Sequence, residues 1–193
     1  GPGGSGPAVK TYVDAKISIA ASATNEIGQP HTFTVTVHLD AGTGLGFQPA
    51  TDGNVDVTLT NSNGAVNVPD DATSTCDDNQ PAGDNLDASG QCTRVFTSNS
   101  AGQVAGNATV ALLVGGITVT RSTDGVAPNS GPATKTFVDA NITIGESETN
   151  EVGQPHTFTV LVESDDGFPA NVGGGDAVTG FAPVANQAVS GTL

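Results

Sequence analysis

The sequence predicts an all-β chain folded as an antiparallel sandwich of two sheets, with one whole copy followed by the start of a second. Three observations carry this expectation. Apolar residues alternate with polar ones in short runs, turn chemistry separates the runs, and one long stretch occurs twice. Residues 130–165 repeat residues 5–40 at an offset of 125, without a gap. The two copies agree at about 25 of the 36 aligned positions. A period of that length is the size of a domain and far too long for a solenoid unit.

The runs follow one another in order. Val13, Ala15, Ile17 and Ile19 share one face of a first strand, and Tyr12, Asp14, Lys16 and Ser18 share the other. Residues 21–30 are polar and read as a turn. Phe33, Val35, Val37 and Leu39 then alternate with Thr32, Thr34, Thr36 and His38 as a second strand. A glycine-rich loop leads to Val55, Val57 and Leu59, a third strand. Asn63 and Gly64 tolerate positive φ and offer hairpin-turn chemistry. After an irregular acidic loop over 70–91, strand character resumes around Val95 and Phe96. Val104, Gly106, Ala108, Val110 and Leu112 alternate over a longer run, and Gly115-Gly116 turns the chain into a last strand at Ile117 and Val119. The expected core of the first copy is Phe33, Val35, Val37, Val55, Val57, Phe96, Val110 and Leu112.

The net charge is −15, with only five Lys and Arg residues. Nucleic acid and anionic membrane surfaces both need basic patches, so neither is an expected partner. No apolar run approaches the roughly 18 residues that a membrane span requires. Cys76 and Cys92 flank the acidic loop. Two cysteines cannot make a zinc site alone, and the nearest histidine in sequence, His38, is distant. A disulfide is therefore expected, with a pair of reduced thiols in an intracellular protein as the alternative. The bond implies an oxidising, extracellular compartment.

Several phrases carry a family resemblance. NEIGQPHTFTVTV, CTRVFTSNSAGQVAGNATV and the linker TRSTDGVAPNSGPATKTFVDA are similar to the Ig-like tandem repeats of large bacterial surface and secreted proteins, of adhesin or fibre type. The resemblance covers nearly all of residues 5–165. It implies an Ig-like antiparallel β-sandwich in tandem repeats, located outside the cell or on its surface. The cysteines depart from the antibody pattern, which bridges two strands across the core beside a tryptophan. Here they stand 16 positions apart and Trp is absent, so the bond staples a loop onto the following strand.

The division expected is a Gly/Pro-rich lead over 1–8, a complete Ig-like domain over 9–122, a linker over 123–134, and the first part of a second domain over 135–193. The second copy departs from the first after Asp165. VSGTL at 189–193 resembles VDVTL at 55–59, the third strand, and the equivalents of 60–120 do not follow. Three strands cannot close a sandwich. Ile142, Ile144, Phe158, Val160 and Val162 then form an apolar face that other copies of the repeat or chain are expected to cover.

Chemistry-bearing residues are sparse. Asp77, Asp78, Asp84 and Asp87 are hard oxygen ligands in one loop and form a calcium candidate, against the plain reading of a solvated acidic loop. Asp124, Asp139 and Glu151 form a second candidate at the junction, against a plain linker. His31 and His156 occupy equivalent positions and read as strand-start residues with a local hydrogen bond. Asn107 and Asn141 match the glycosylation acceptor pattern, which arises by chance in a chain rich in Asn and Thr. Lys10 and Lys135 are equivalent. Some bacterial surface Ig-like folds that this one resembles crosslink a buried Lys to an Asn or Asp, chemistry that needs a desolvated amine. Lys10 lies in a polar lead, and no acid partner stands out. No Ser/His/Asp or Cys/His set suggests an enzyme. The expected function is a structural repeat module of a prokaryotic surface fibre, stalk or adhesin, with no cofactor expected and calcium as the alternative. The alternative is an Ig-like module that binds carbohydrate or protein through its end loops.

Overall fold

A computed structural model describes residues 4–20, 23–76, 85–145 and 147–192. Among the described residues the strands run in chain order as β1 (Asp14–Ile19), β2 (Ala23–Glu26), β3 (His31–Asp40), β4 (Gln48–Pro49), β5 (Asn54–Ser62), β6 (Asn67–Asp70), β7 (Gln91–Ser98), β8 (Gly102–Val114), β9 (Ile117–Ser122), β10 (Ala133–Ile144), β11 (Val160–Asp165) and β12 (Ala182–Pro183). The first sheet has the order β1-β3-β7-β6, with β4 beside β3. The second has the order β12-β11-β10-β8-β5, with β2 beside β10 and β9 beside β8. The fold is all-β, a sandwich of two sheets that are antiparallel except where β2 runs parallel to β10. No helix among the described residues is long and apolar enough to cross a membrane.

Alternation decides which side of each strand faces inward, because successive side chains of a strand point to opposite faces. Ala15, Ile17 and Ile19 of β1 are buried, as are Phe33, Val35 and Val37 of β3. Val55 and Val57, Phe96, Val110 and Leu112 meet them from β5, β7 and β8. Every residue of the expected core lies in this cluster. Gly115 and Gly116, both at positive φ, make the two-residue turn between β8 and β9. Asn63 and Gly64 also take positive φ, but the turn does not close a hairpin. It passes the chain between sheets, since β5 pairs with β8 while β6 pairs with β7.

Cys76 and Cys92 are joined, with Cα atoms 5.1 Å apart. The bond ties the loop after β6 to β7. Backbone N–H groups of Thr75 and Cys76 both donate to the Thr93 carbonyl, at 2.8 and 2.9 Å, along the same edge.

Two parts of the chain depart from the sequence reading. Residues 23–26, read as turn, form a strand. Residues 189–192, read as the third strand of copy two, form none. The reason is the partner: among the described residues β5 pairs with β8, and no strand stands in that place beside 189–192.

Candidate functional site at the repeat junction

The junction is organised by β10, a single strand with two sets of neighbours. Its first half pairs antiparallel with β8, Ala133 opposite Gly106 through Phe137 opposite Gly102. The same half pairs parallel with β2, Lys135 opposite Ala23 through Val138 opposite Glu26. Among the described residues its second half pairs only with β11, Asp139 opposite Asp165 through Ile144 opposite Val160. The strand therefore runs straight across the boundary placed between residues 134 and 135. The first half completes copy one, and the second half begins copy two.

Alternation explains how it seats. Ala133, Lys135 and Phe137 point into the first copy and are buried. Phe137 meets Phe96 at 6.0 Å between ring centres, and Phe96 meets Phe33 at 5.0 Å. A strand from the repeated sequence thus supplies part of the aromatic core of the preceding unit. The linker is fastened as well. Asn129 Oδ1 accepts from the Ile17 N–H at 3.2 Å, and Ser130 Oγ accepts from the Ile19 N–H at 3.1 Å. The Ser130 N–H donates to the Ile17 carbonyl at 3.1 Å, so the linker runs along the free edge of β1. Each such bond contributes about 1 kcal/mol net. Asp124 closes the preceding turn by accepting from the Val126 N–H at 2.9 Å, and these bonds hold its carboxyl below the usual range.

Lys135 is the unusual member. The side chain is fully buried, and among the described residues Nζ has no hydrogen-bond partner. It lies 5.7 Å from the centre of the Phe137 ring, within cation–π range. Burial pushes its pKa down. Its sequence equivalent, Lys10, is exposed in the lead. His31 starts β3, but its ring does not make the expected local bond. It packs edge-on against Phe33 and Phe96, and Nε2 is buried without a partner among the described residues.

Burial, with the Lys135 charge beside it, pushes the His31 pKa from 6.5 down to about 4. The unfolded chain therefore binds more protons between those values, and stability rises with pH across that window. Acidification from pH 6.5 towards 4 is expected to lower the unfolding midpoint, and His31→Gln is expected to flatten that part of the profile. Chemical denaturation of both proteins over pH 4–7 checks this; identical slopes would remove His31 from the account. Asp14, paired with Arg121, has a lowered pKa and adds loss of stability at more acid pH.

The second copy reproduces the first as far as its partners allow. Ile142 faces Val162 and Ile144 faces Val160, as Ile17 faces Val37 and Ile19 faces Val35. Asn150 Nδ2 donates to the Pro155 carbonyl at 3.1 Å, as Asn25 Nδ2 donates to that of Pro30. What differs is cover. Ile142 is 61 % exposed, Ile144 66 %, Phe158 45 % and Val160 39 %, with Val162 half-buried. Their equivalents in copy one are all buried. The strand equivalent to β3 begins only at Val160, because residues 156–159 lack the neighbour that β7 provides to 31–34.

Among the described residues neither calcium candidate is assembled. Asp77, Asp78 and Asp84 lie outside the described residues. Asp87 Oδ1 accepts from the Ser89 and Gln91 N–H groups at 2.8 and 2.9 Å, closing its own turn. No group of three or more His, Cys, Asp or Glu side chains gathers among the described residues, so Asp124, Asp139 and Glu151 do not form one. Asn107 is exposed on β8, and Asn141 is half-buried on β10.

No family model matches the chain, and no curated protein matches it. Among solved structures, the chain is similar to the crystal structure of AggA, the major subunit of aggregative adherence fimbriae type I from Escherichia coli. The likeness has a TM-score of 0.34 and 10 % identity, over 68 % of this chain and 97 % of that one.

Proposed function

We propose that this chain is an extracellular structural segment of a prokaryotic surface fibre, stalk or adhesin, in which consecutive Ig-like units are joined by a shared strand. The observation that carries the reading is β10, buried in one unit at Lys135 and Phe137 and opening the next at Asp139. A flexible tether would leave two independent domains, whereas a strand shared between units transmits force and fixes direction. The disulfide supports an oxidising location. Among the described residues no group of three or more His, Cys, Asp or Glu side chains gathers. Labelling intact source cells with antibody to this chain tests the location: surface staining is expected, and staining only after lysis would defeat the proposal.

The open face of copy two belongs to the same reading. Ile142, Ile144, Phe158, Val160 and Val162 are to be covered by further strands of the array or by another copy, since an exposed apolar sheet invites association. The chain by itself is expected to associate with rising concentration in sedimentation experiments. Ile144→Lys with Val160→Lys is expected to return it to monomer while leaving the first copy's unfolding unchanged. A wild-type chain that stays monomeric at every concentration reached would show that the face needs no cover.

A further inference from the structure

We infer that residues 8–13, the lead ahead of β1, form a second donor strand, whose partner is the β2–β8 groove of another repeat unit of this kind. This rests on the strand-sharing reading and extends it to the opposite end of the chain.

The segment is the equivalent of the seated half of β10. AVKTYV at 8–13 aligns with ATKTFV at 133–138, and only two positions differ. Thr134, one of them, sits between the inward-facing Ala133 and Lys135. The other replaces Phe137 with Tyr12, an aromatic ring of nearly the same shape. Yet the environments are opposite. Phe137 is fully buried, while Tyr12 is 80 % and Val9 87 % exposed. Residues 8–13 pair with no strand among the described residues, although their apolar and polar side chains are ordered for one.

The lead is also held in the donor geometry by its own unit. Gly167 packs so closely on the β10 backbone that an added Cβ would lie 2.4 Å from the Phe137 carbonyl oxygen. Gly42, its equivalent, would place a Cβ 2.3 Å from the Tyr12 carbonyl oxygen. Both glycines take positive φ, and both N–H groups donate at 2.9 Å to the aspartate two residues before, Asp165 and Asp40. The same turn thus grips the same point of both strands. One has a groove in front of it, and the other projects into solvent.

Seated as β10 is seated, the lead would place Lys10 opposite Val104 and Tyr12 opposite Gly102 of the receiving unit, with its other edge on residues 23–26 of that unit. Backbone pairing would supply affinity, and the alternate Ala, Lys and aromatic positions would supply specificity, as in other strand additions. The Tyr12 hydroxyl needs a polar partner when buried. In the seated strand, the lysine two residues before the ring has an unpartnered Nζ near that ring.

Tyr12 is the only tyrosine and the chain has no tryptophan, so its fluorescence reports this site alone. In the test, an added copy of residues 5–129, carrying Tyr12→Phe, replaces residues 1–4 of the full chain. Acrylamide quenching of Tyr12 is expected to fall by roughly threefold or more relative to the 193-residue chain, as burial excludes the quencher. Unchanged quenching overturns the inference. A parallel variant, Tyr12→Phe with Phe137→Tyr in the 193-residue chain, separates the two readings. Shielding there with an exposed Tyr12 in the longer chain overturns the lead's role alone. Exposure in both overturns strand sharing as well.

Discussion

Phe137→Ala is expected to destabilise the first copy by about 3–5 kcal/mol, the range for truncating a fully buried aromatic ring. The residue belongs by sequence to the second copy, so the location of the loss is the informative part. Phe137 has no exposed surface and joins the Phe96–Phe33 pair inside the first copy. Its removal leaves a cavity between β8, β7 and β10, with Gly102 and Gly167 packed against the neighbouring backbone and unable to fill it. Tyr12→Ala, the equivalent change in the lead, is expected to stay within about 0.5 kcal/mol, as exposed substitutions usually do. Denaturant unfolding followed by the amide protection of β3 and β8 would compare the two. Similar small effects from both would mean that β10 is not part of the first copy's core.

Reducing the Cys76–Cys92 bond, or replacing both residues by alanine, is expected to cost about 3 kcal/mol, from the loop-closure entropy regained by the unfolded chain. Both sulfur atoms are buried, so the double substitution adds the loss of packing to the loss of the link. The loop keeps other anchors. Ser74 Oγ accepts from the Val95 N–H at 2.9 Å, and Arg94 pairs with Asp71 at 2.7 Å. The loss should therefore lower the unfolding midpoint without releasing β6 from β7. Equal midpoints in the presence and absence of reductant would show that the bond does not constrain the unfolded chain as this account requires.

Much of the first copy is legible in the sequence. Its core residues announce themselves by alternation, since a strand with one wet and one dry face can be satisfied by only one register. The staple between Cys76 and β7 follows from their spacing and the missing tryptophan. β2 was not legible. Residues 23–26 are polar, carry no alternation, and are ordered by a parallel neighbour more than a hundred positions away. The fate of 189–192 was misread for the converse reason. The residues resemble a strand, but a strand without a ladder partner leaves its backbone groups to water.

Sequence alone determined the repeat, the sandwich and the inward faces of the first copy's strands. Tertiary structure alone decided where the repeated lead goes. Of nearly the same six residues, five are exposed at 8–12 with only Val13 half-buried against the core, while all six are half-buried or buried at 133–138. Their intrinsic preferences are the same, so the difference lies in what stands opposite. Residues 133–138 have the β2 and β8 edges beside them, while residues 8–12 face water. Backbone hydrogen bonds and apolar burial stabilise a strand only when a partner is present, and the partner's position is a property of the fold.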